Sequence, residues 1–302
     1  MANMTILYII KKIIRVVRPS RGIDYPATRK ILDIFGAVLS FLSLRSYNLA
    51  KVSANNVPAE WNTPENAVGQ RVMMYLHGGA YVAGSLKSHR EMVFRLASAS
   101  RARALAIDYR LAPEHPYPAA LKDAFNAYQY LLDMGTEATD ITIIGDSAGG
   151  GLALALLQKL RSKEIPLPAC AICLSPWTDL TGSGQTMRSN SKIDPMLTPQ
   201  LLDEDARYYA NGMDMKIPTI SPLFGSFAGL PPILIQVGSD EILLDDSRRL
   251  VALAKNDGLE IELDIWPGMF HVWQMFFLLL SDARKAINKI GRFVEKHMKD
   301  GV

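Results

Sequence analysis

From about residue 47 onward the chain alternates short apolar runs with helical stretches, and few folds accommodate that rhythm. Val72–Leu76, Ala104–Asp108, Ile141–Ile144, Ala169–Leu174, Ile233–Val237 and Ile261–Trp266 read as strands. Ala119–Asp133, Leu152–Leu160, Ser247–Asn256 and Asp282–Lys296 read as helices between or after them. Strands that alternate with helices predict the α/β class, a mostly parallel sheet covered by helices on both faces. Such sheets bind ligands beyond the carboxyl ends of their strands. That edge is where chemistry is expected.

Two segments break the rhythm. Residues 1–45 read as two helices separated near Pro19-Ser20-Arg21-Gly22. Residues 181–218 carry Gly182, Gly184, Pro195 and Pro199, no strand signal, and one helix over Gln200–Tyr209. No linker composition sets either apart. The expected organisation is one catalytic domain over 46–302 and a discontinuous helical cap, built from 1–45 with a contribution from 181–218. Ile6, Leu7, Ile10, Ile13, Ile14 and Val17 recur at helical spacing, with Lys11, Lys12, Arg15 and Arg18 on the other side. A signal peptide places its charges before its apolar stretch, and here they follow it. No apolar run reaches the ~20 residues that span a bilayer. The expected role of this amphipathic helix is docking on its own protein, with a membrane surface as the other option.

Composition excludes several classes. With 302 residues, 49% hydrophobic and 21% charged, the chain can bury a large core. A net charge of +3 is too small for a nucleic-acid footprint, so a small, neutral or weakly polar ligand is expected and no nucleic acid. Cys170 and Cys173 form C-x-x-C inside an apolar strand, with no second ligand pair to complete a metal site. Residues i and i+3 of a strand point to opposite faces, so two buried, unpaired thiols and a cytoplasmic location are expected.

Gly145-Asp146-Ser147-Ala148-Gly149 matches G-x-S-x-G between a predicted strand and a predicted helix. That context places Ser147 on a sharp turn as a nucleophile. Its neighbours must be small, and a helix N-terminus beside it favours developing negative charge. A phosphate loop would carry a Lys after the glycines, and Gly149-Gly150-Gly151-Leu152 has none. Upstream, His77-Gly78-Gly79-Ala80 follows a strand. Gly78 and Gly79 are the expected oxyanion donors, joined by the Ala148 N–H, and His77 is expected to hold the loop. Hydrolases of this fold run serine, acid, histidine along the chain. Among the five histidines, His115 precedes the serine, and His89 and His297 lie in polar helical surroundings that suggest the surface. His271 follows the last strand on a Pro-Gly loop and is the expected base. The acid belongs after Ile233–Val237, where Asp240 and Glu241 are adjacent and local physics does not separate them.

These blocks resemble the microbial esterases related to hormone-sensitive lipase. The resemblance rests on His77-Gly78-Gly79-Ala80-Tyr81, Asp108-Tyr109-Arg110-Leu111-Ala112-Pro113-Glu114, Gly145-Asp146-Ser147-Ala148-Gly149-Gly150 and Ser175-Pro176-Trp177, in that order. It covers the chain from about residue 48 to the end. It implies an eight-stranded α/β-hydrolase sheet, an N-terminal cap, no cofactor, and hydrolysis of short- to medium-chain acyl esters through an acyl-enzyme. Ala80 stands where the family often has a third glycine. The family's acid lies in the pattern acid-x-Leu-x-Asp. Leu243 and Asp245 then place it at Glu241, although the family more often uses Asp. An amidase or peptidase with the same triad, and a non-catalytic receptor on the same fold, are the other options. Ile261–Trp266 as a sheet edge leaves a homodimer through the last strand open.

Overall fold

The computed structural model describes residues 4–18, 24–43 and 47–298. The expected helix break at 19–22 lies outside them. Two helices, α1 (Met4–Val17) and α2 (Tyr25–Leu42), precede a hairpin of β1 (Leu49–Ala54) and β2 (Val57–Asn62). There follow β3 (Val72–Leu76), α3 (Leu86–Ser100), β4 (Arg103–Ile107), α4 (Ala119–Asp133), β5 (Ile141–Asp146), α5 (Ala148–Ser162) and β6 (Cys170–Leu174). After β6 come α6 (Thr186–Ser189) and α7 (Pro199–Ala210), then β7 (Ile233–Gly238), α8 (Leu244–Asn256), β8 (Ile261–Trp266) and α9 (Ser281–His297).

The strands form one eight-stranded sheet in the order β1-β2-β4-β3-β5-β6-β7-β8. Only β2 runs against the others. Every residue of β3, β5, β6 and β7 is buried, as expected for strands covered on both faces. One core joins the sheet to α4, α5 and α8, and the other joins it to α3 and α9. Cys173 belongs to the first core and Cys170 to the second, and both are free, buried thiols. Opposite faces keep them apart, as the strand period requires.

The sequence does not announce β1, β2 or α3. The hairpin mixes Lys51, Ser53, Pro58, Glu60 and Asn62 into its strands, which hides any alternation. Glu60 is buried there because Arg90 of α3 pairs with it at 2.8 Å. Ser85 starts α3 with a capping box, accepting from the backbone of Lys87 and Ser88.

The N-terminal helices lie against the carboxyl edge. Leu7 and Ile10 enter the core that contains Met269 and Phe270. The basic side of α1 is divided: Lys12 and Arg15 are exposed, while Lys11 and Arg18 are half-buried. Lys11 Nζ meets Asp240 Oδ2 at 2.7 Å, Arg15 donates to the Lys192 and Ile193 carbonyls, and Arg18 donates to those of Asp194 and Leu197. Their long stems let the charged ends reach acceptors on these loops. On α2, Arg29 donates to the carbonyls of Val82 and Ala112 and to both oxygens of Glu114. Tyr25 donates to Asp205 on α7 at 2.9 Å. Among the described residues, no helix is long and apolar enough to cross a membrane.

Candidate active site

β5 runs on to Asp146, two residues beyond the expected strand, and α5 begins at Ala148, four residues before the expected helix. Ser147 is therefore the single residue between strand and helix. It holds φ 54° and ψ −122°, a conformation that costs energy for any side chain. The surrounding structure enforces it. Ser147 N donates to Leu174 O at 2.8 Å, and Trp177 N donates to Ser147 O at 3.0 Å. The flanking glycines leave no room for a side chain. A Cβ on Gly145 would sit 2.2 Å from Gly149 O, and one on Gly149 would sit 2.0 Å from Leu76 O.

Ser147 Oγ lies 2.8 Å from His271 Nε2. His271 Nδ1 lies 2.8 Å from Glu241 Oε2. All three side chains are buried. Glu241 Oε1 accepts from Ser175 Oγ at 2.7 Å and from the Gly238 N–H. Ser175 Oγ in turn accepts from Val272 N at 3.2 Å. Ser175 thus ties the carboxylate to the residue that follows the histidine, a link with no signature in the sequence. Asp240, the neighbouring carboxylate, points elsewhere, to Lys11. Burial pushes the His271 imidazolium toward losing its proton. The hydrogen bond and charge of Glu241, with Asp194 and Asp146 behind them, outweigh that and raise its pKa above the ordinary 6.5.

The glycine loop differs from expectation at one position. Gly78 N donates to Asp146 Oδ1 at 2.9 Å, so its N–H is already committed. Gly78 was expected as an oxyanion donor, and the carboxylate sixty-eight residues downstream claims it instead. The same Asp146 oxygen accepts from Tyr75 Oη at 2.6 Å. Among the described residues, the N–H groups of Gly79, Ala80 and Ala148 have no protein acceptor. Gly79, Ala80 and Tyr81 all hold positive φ, which turns this loop sharply after β3.

His77 holds the loop, as its position suggested. Its Nδ1 donates to Gly78 O at 2.8 Å, and its ring stacks on Tyr109 at 4.2 Å. Burial, then the nearby His89, pushes its pKa down to about 4, which suits a neutral structural ring. His89 is not on the surface as predicted. It is buried, with Nδ1 2.8 Å from Ser88 Oγ and Nε2 3.4 Å from Asp146 Oδ2. The polar run around it is the buried face of α3, where Ser88 and Glu91 are also enclosed. His115 is exposed, and His297 packs on Phe293 far along the chain in α9. Beside the serine, Tyr81 stacks on Tyr209 at 3.7 Å and lies 6.2 Å from Trp177.

A serine, a histidine and a carboxylate in hydrogen-bond sequence, beside free N–H groups at a helix start, can perform acyl transfer. Comparison with known proteins points the same way. Residues 73–275 match the family model described as alpha/beta hydrolase fold. An esterase of the bacterial hormone-sensitive lipase family has a solved structure with a TM-score of 0.92 at 38% identity, covering 99% of this chain and 100% of that one.

The chain belongs to the bacterial hormone-sensitive lipase family.

As a member of that family it is a carboxylesterase of the serine hydrolase class. A Streptomyces hygroscopicus acetyl-hydrolase is 42% identical over 83% of this chain and 84% of its own. An Acinetobacter venetianus esterase is 37% identical over 83% of this chain and 82% of its own.

Proposed function

We propose that Ser147, His271 and Glu241 are the catalytic triad of this carboxylic ester hydrolase, with Gly79 and Ala148 N–H groups holding the oxyanion. The observation that carries this is the unbroken path from Ser147 Oγ through His271 to Glu241, each step at 2.8 Å. His271 removes the Ser147 proton as Oγ attacks the ester carbonyl. The oxygen gains negative charge beside the free N–H groups, and His271 then returns the proton to the leaving alcohol. Water, activated by the same ring, releases the acid from the acyl-enzyme. Ala80 N–H replaces Gly78 N–H as the third donor, because Gly78 already serves Asp146. Each donor of this kind contributes about 3–4 kcal/mol to the transition state.

A short- to medium-chain acyl group is the proposed substrate. Bulky aromatic packing supports it: Tyr81, Tyr209 and Trp177 crowd the space beside the first turn of α5. The acetyl-hydrolase relative supports it too. Residues 1–45 and 181–218 act as one cap. Three ties support that assignment: Tyr25 to Asp205, Arg15 to the carbonyls of 192 and 193, and Arg18 to those of 194 and 197. β8 is a sheet edge, which suits pairing of two copies through it. Two unpaired strand thiols suit a reducing cytoplasm.

Turnover of p-nitrophenyl acetate, butyrate and decanoate by wild type and Ser147→Ala is the test. The expected result is highest kcat/KM on the two shorter esters and no turnover by the variant. Full activity of Ser147→Ala would sink the triad.

A further inference from the structure

Charge and apolar surface are both concentrated in the first segment of the chain. Residues 1–45 hold eight Lys and Arg against two Asp, a net +6, while the whole chain is at +3. The rest of the molecule is therefore net acidic. Of the nineteen large apolar side chains exposed among the described residues, ten lie on α1 and α2. They are ordered rather than scattered. On α1, Met4, Tyr8, Ile9, Ile13 and Val16 follow helical spacing, and Val16 is 77% exposed. On α2, Ile31, Ile34, Val38, Phe41 and Leu42 do the same, and Phe41 is 76% exposed. Each helix has a second apolar side that packs inward, through Leu7 and Ile10 on α1 and Tyr25 on α2. The outer stripes are thus extra, beyond what docking to the protein uses.

We propose that α1 and α2 dock this enzyme onto an anionic lipid surface. Large apolar side chains exposed in this number on two neighbouring elements of the chain mark an interaction site. The basic rim selects the partner. Lys12, Arg15 and Lys30 are exposed among these apolar side chains, Lys12 one turn from both Tyr8 and Val16, and α1 carries no acidic residue. Arg15 and Arg18 spend their guanidinium groups on neutral carbonyls, so their charge is not cancelled by a carboxylate there. Apolar side chains entering the acyl boundary, with Lys and Arg at headgroup level, are the two contributions that hold an interfacial helix. The mode is lying on the surface rather than crossing it, as neither helix is long and apolar enough to span. The same helices sit on the carboxyl edge of the sheet, where α1 contacts Asp240 next to Glu241. Docking would present the Ser147 edge to esters dissolved in the lipid. This placement does not depend on which residues form the triad.

Co-sedimentation tests it with the full chain. Vesicles of phosphatidylcholine with phosphatidylglycerol are compared with vesicles of phosphatidylcholine alone. Wild type is expected to sediment with the anionic vesicles and to be released by added salt. Ile13→Glu with Phe41→Glu removes two apolar contacts and adds two negative charges. It should lower partition by roughly tenfold or more. Hydrolysis of a water-soluble acetate ester without vesicles should stay at the wild-type level, which reports an intact fold. Should that double variant misfold, Lys12→Glu with Lys30→Glu carries the same readout. Wild type remaining in the supernatant with anionic vesicles overturns the proposal. So does light scattering that finds a dimer made monomeric by Ile13→Glu with Phe41→Glu, since the face then belongs to a second copy.

Discussion

At the scale of single residues, the adjacent carboxylates Asp240 and Glu241 differ in everything but charge. Glu241 is enclosed and aimed at His271, and Asp240 is half-buried and paired with Lys11. Glu241→Gln should lower kcat by about 10⁴, since the histidine loses both its orientation and the charge that stabilises its protonated form. Asp240→Asn should leave kcat within a few-fold, because a partly exposed ion pair is worth about 0–1 kcal/mol. Steady-state kinetics on one p-nitrophenyl ester compare the two directly. The ring itself sets the pH response. His271 works as a base only when neutral, and its pKa lies above 6.5 despite burial, through Glu241 first. kcat/KM should therefore fall as pH drops through a midpoint above 6.5, and Ser175→Ala should move that midpoint down by loosening the Glu241 contact. A pH profile of kcat/KM for both proteins checks the direction. His271 was legible because so few histidines follow the serine. Glu241 was legible only through the register to Leu243 and Asp245. Gly78 misled because the aim of a backbone N–H depends on a partner from another strand, here Asp146.

At the scale of elements, the strand-Ser147-helix turn is the most constrained piece. Gly149→Ala would force a methyl into Leu76 O and should cost about 1–3 kcal/mol of stability, or more, with loss of activity. Denaturant titration alongside turnover measures both. In the cap, the α2–α7 contact is tied to pH. Burial first, then Glu204, raises the Asp205 carboxyl to about 7 from 3.8, although the Tyr25 hydrogen bond pulls the other way. The folded form thus keeps a proton that the unfolded form has lost between pH of about 4 and 7, so stability declines as pH rises through that window. Asp205→Asn retains an acceptor for Tyr25 without the charge, and should flatten the dependence of Tm on pH across it. Thermal melts of both proteins at either end of the window decide this. Strands β3 to β7 could be read from sequence because they are largely apolar on both faces, and β8 because its apolar residues alternate with Glu262 and Asp264. The β1–β2 hairpin could not, because its buried Glu60 is made acceptable only by Arg90 from α3.

Across the whole molecule, the N-terminal helices are joined to the sheet's carboxyl edge by polar ties spread over the chain. Arg29 alone bridges α2 to residues 82, 112 and 114. Arg29→Ala should loosen α2 and raise KM several-fold while changing kcat little, since none of the reacting groups touches it. A KM and kcat comparison on butyrate and decanoate esters separates that outcome from general unfolding. The sequence by itself determined the α/β class, the place of the nucleophile on its turn, the histidine that serves it and the two helices ahead of the sheet. Those features rest on periodicity and turn chemistry, which act over a few residues. Only the tertiary structure decided which N–H groups remain free for an oxyanion, that His89 is enclosed against Asp146, and that Lys11 and Arg18 turn inward while Tyr8, Val16, Ile31 and Phe41 face out. Each of those outcomes hangs on a donor, acceptor or apolar neighbour contributed by a distant part of the chain, and local patterning carries no record of such partners.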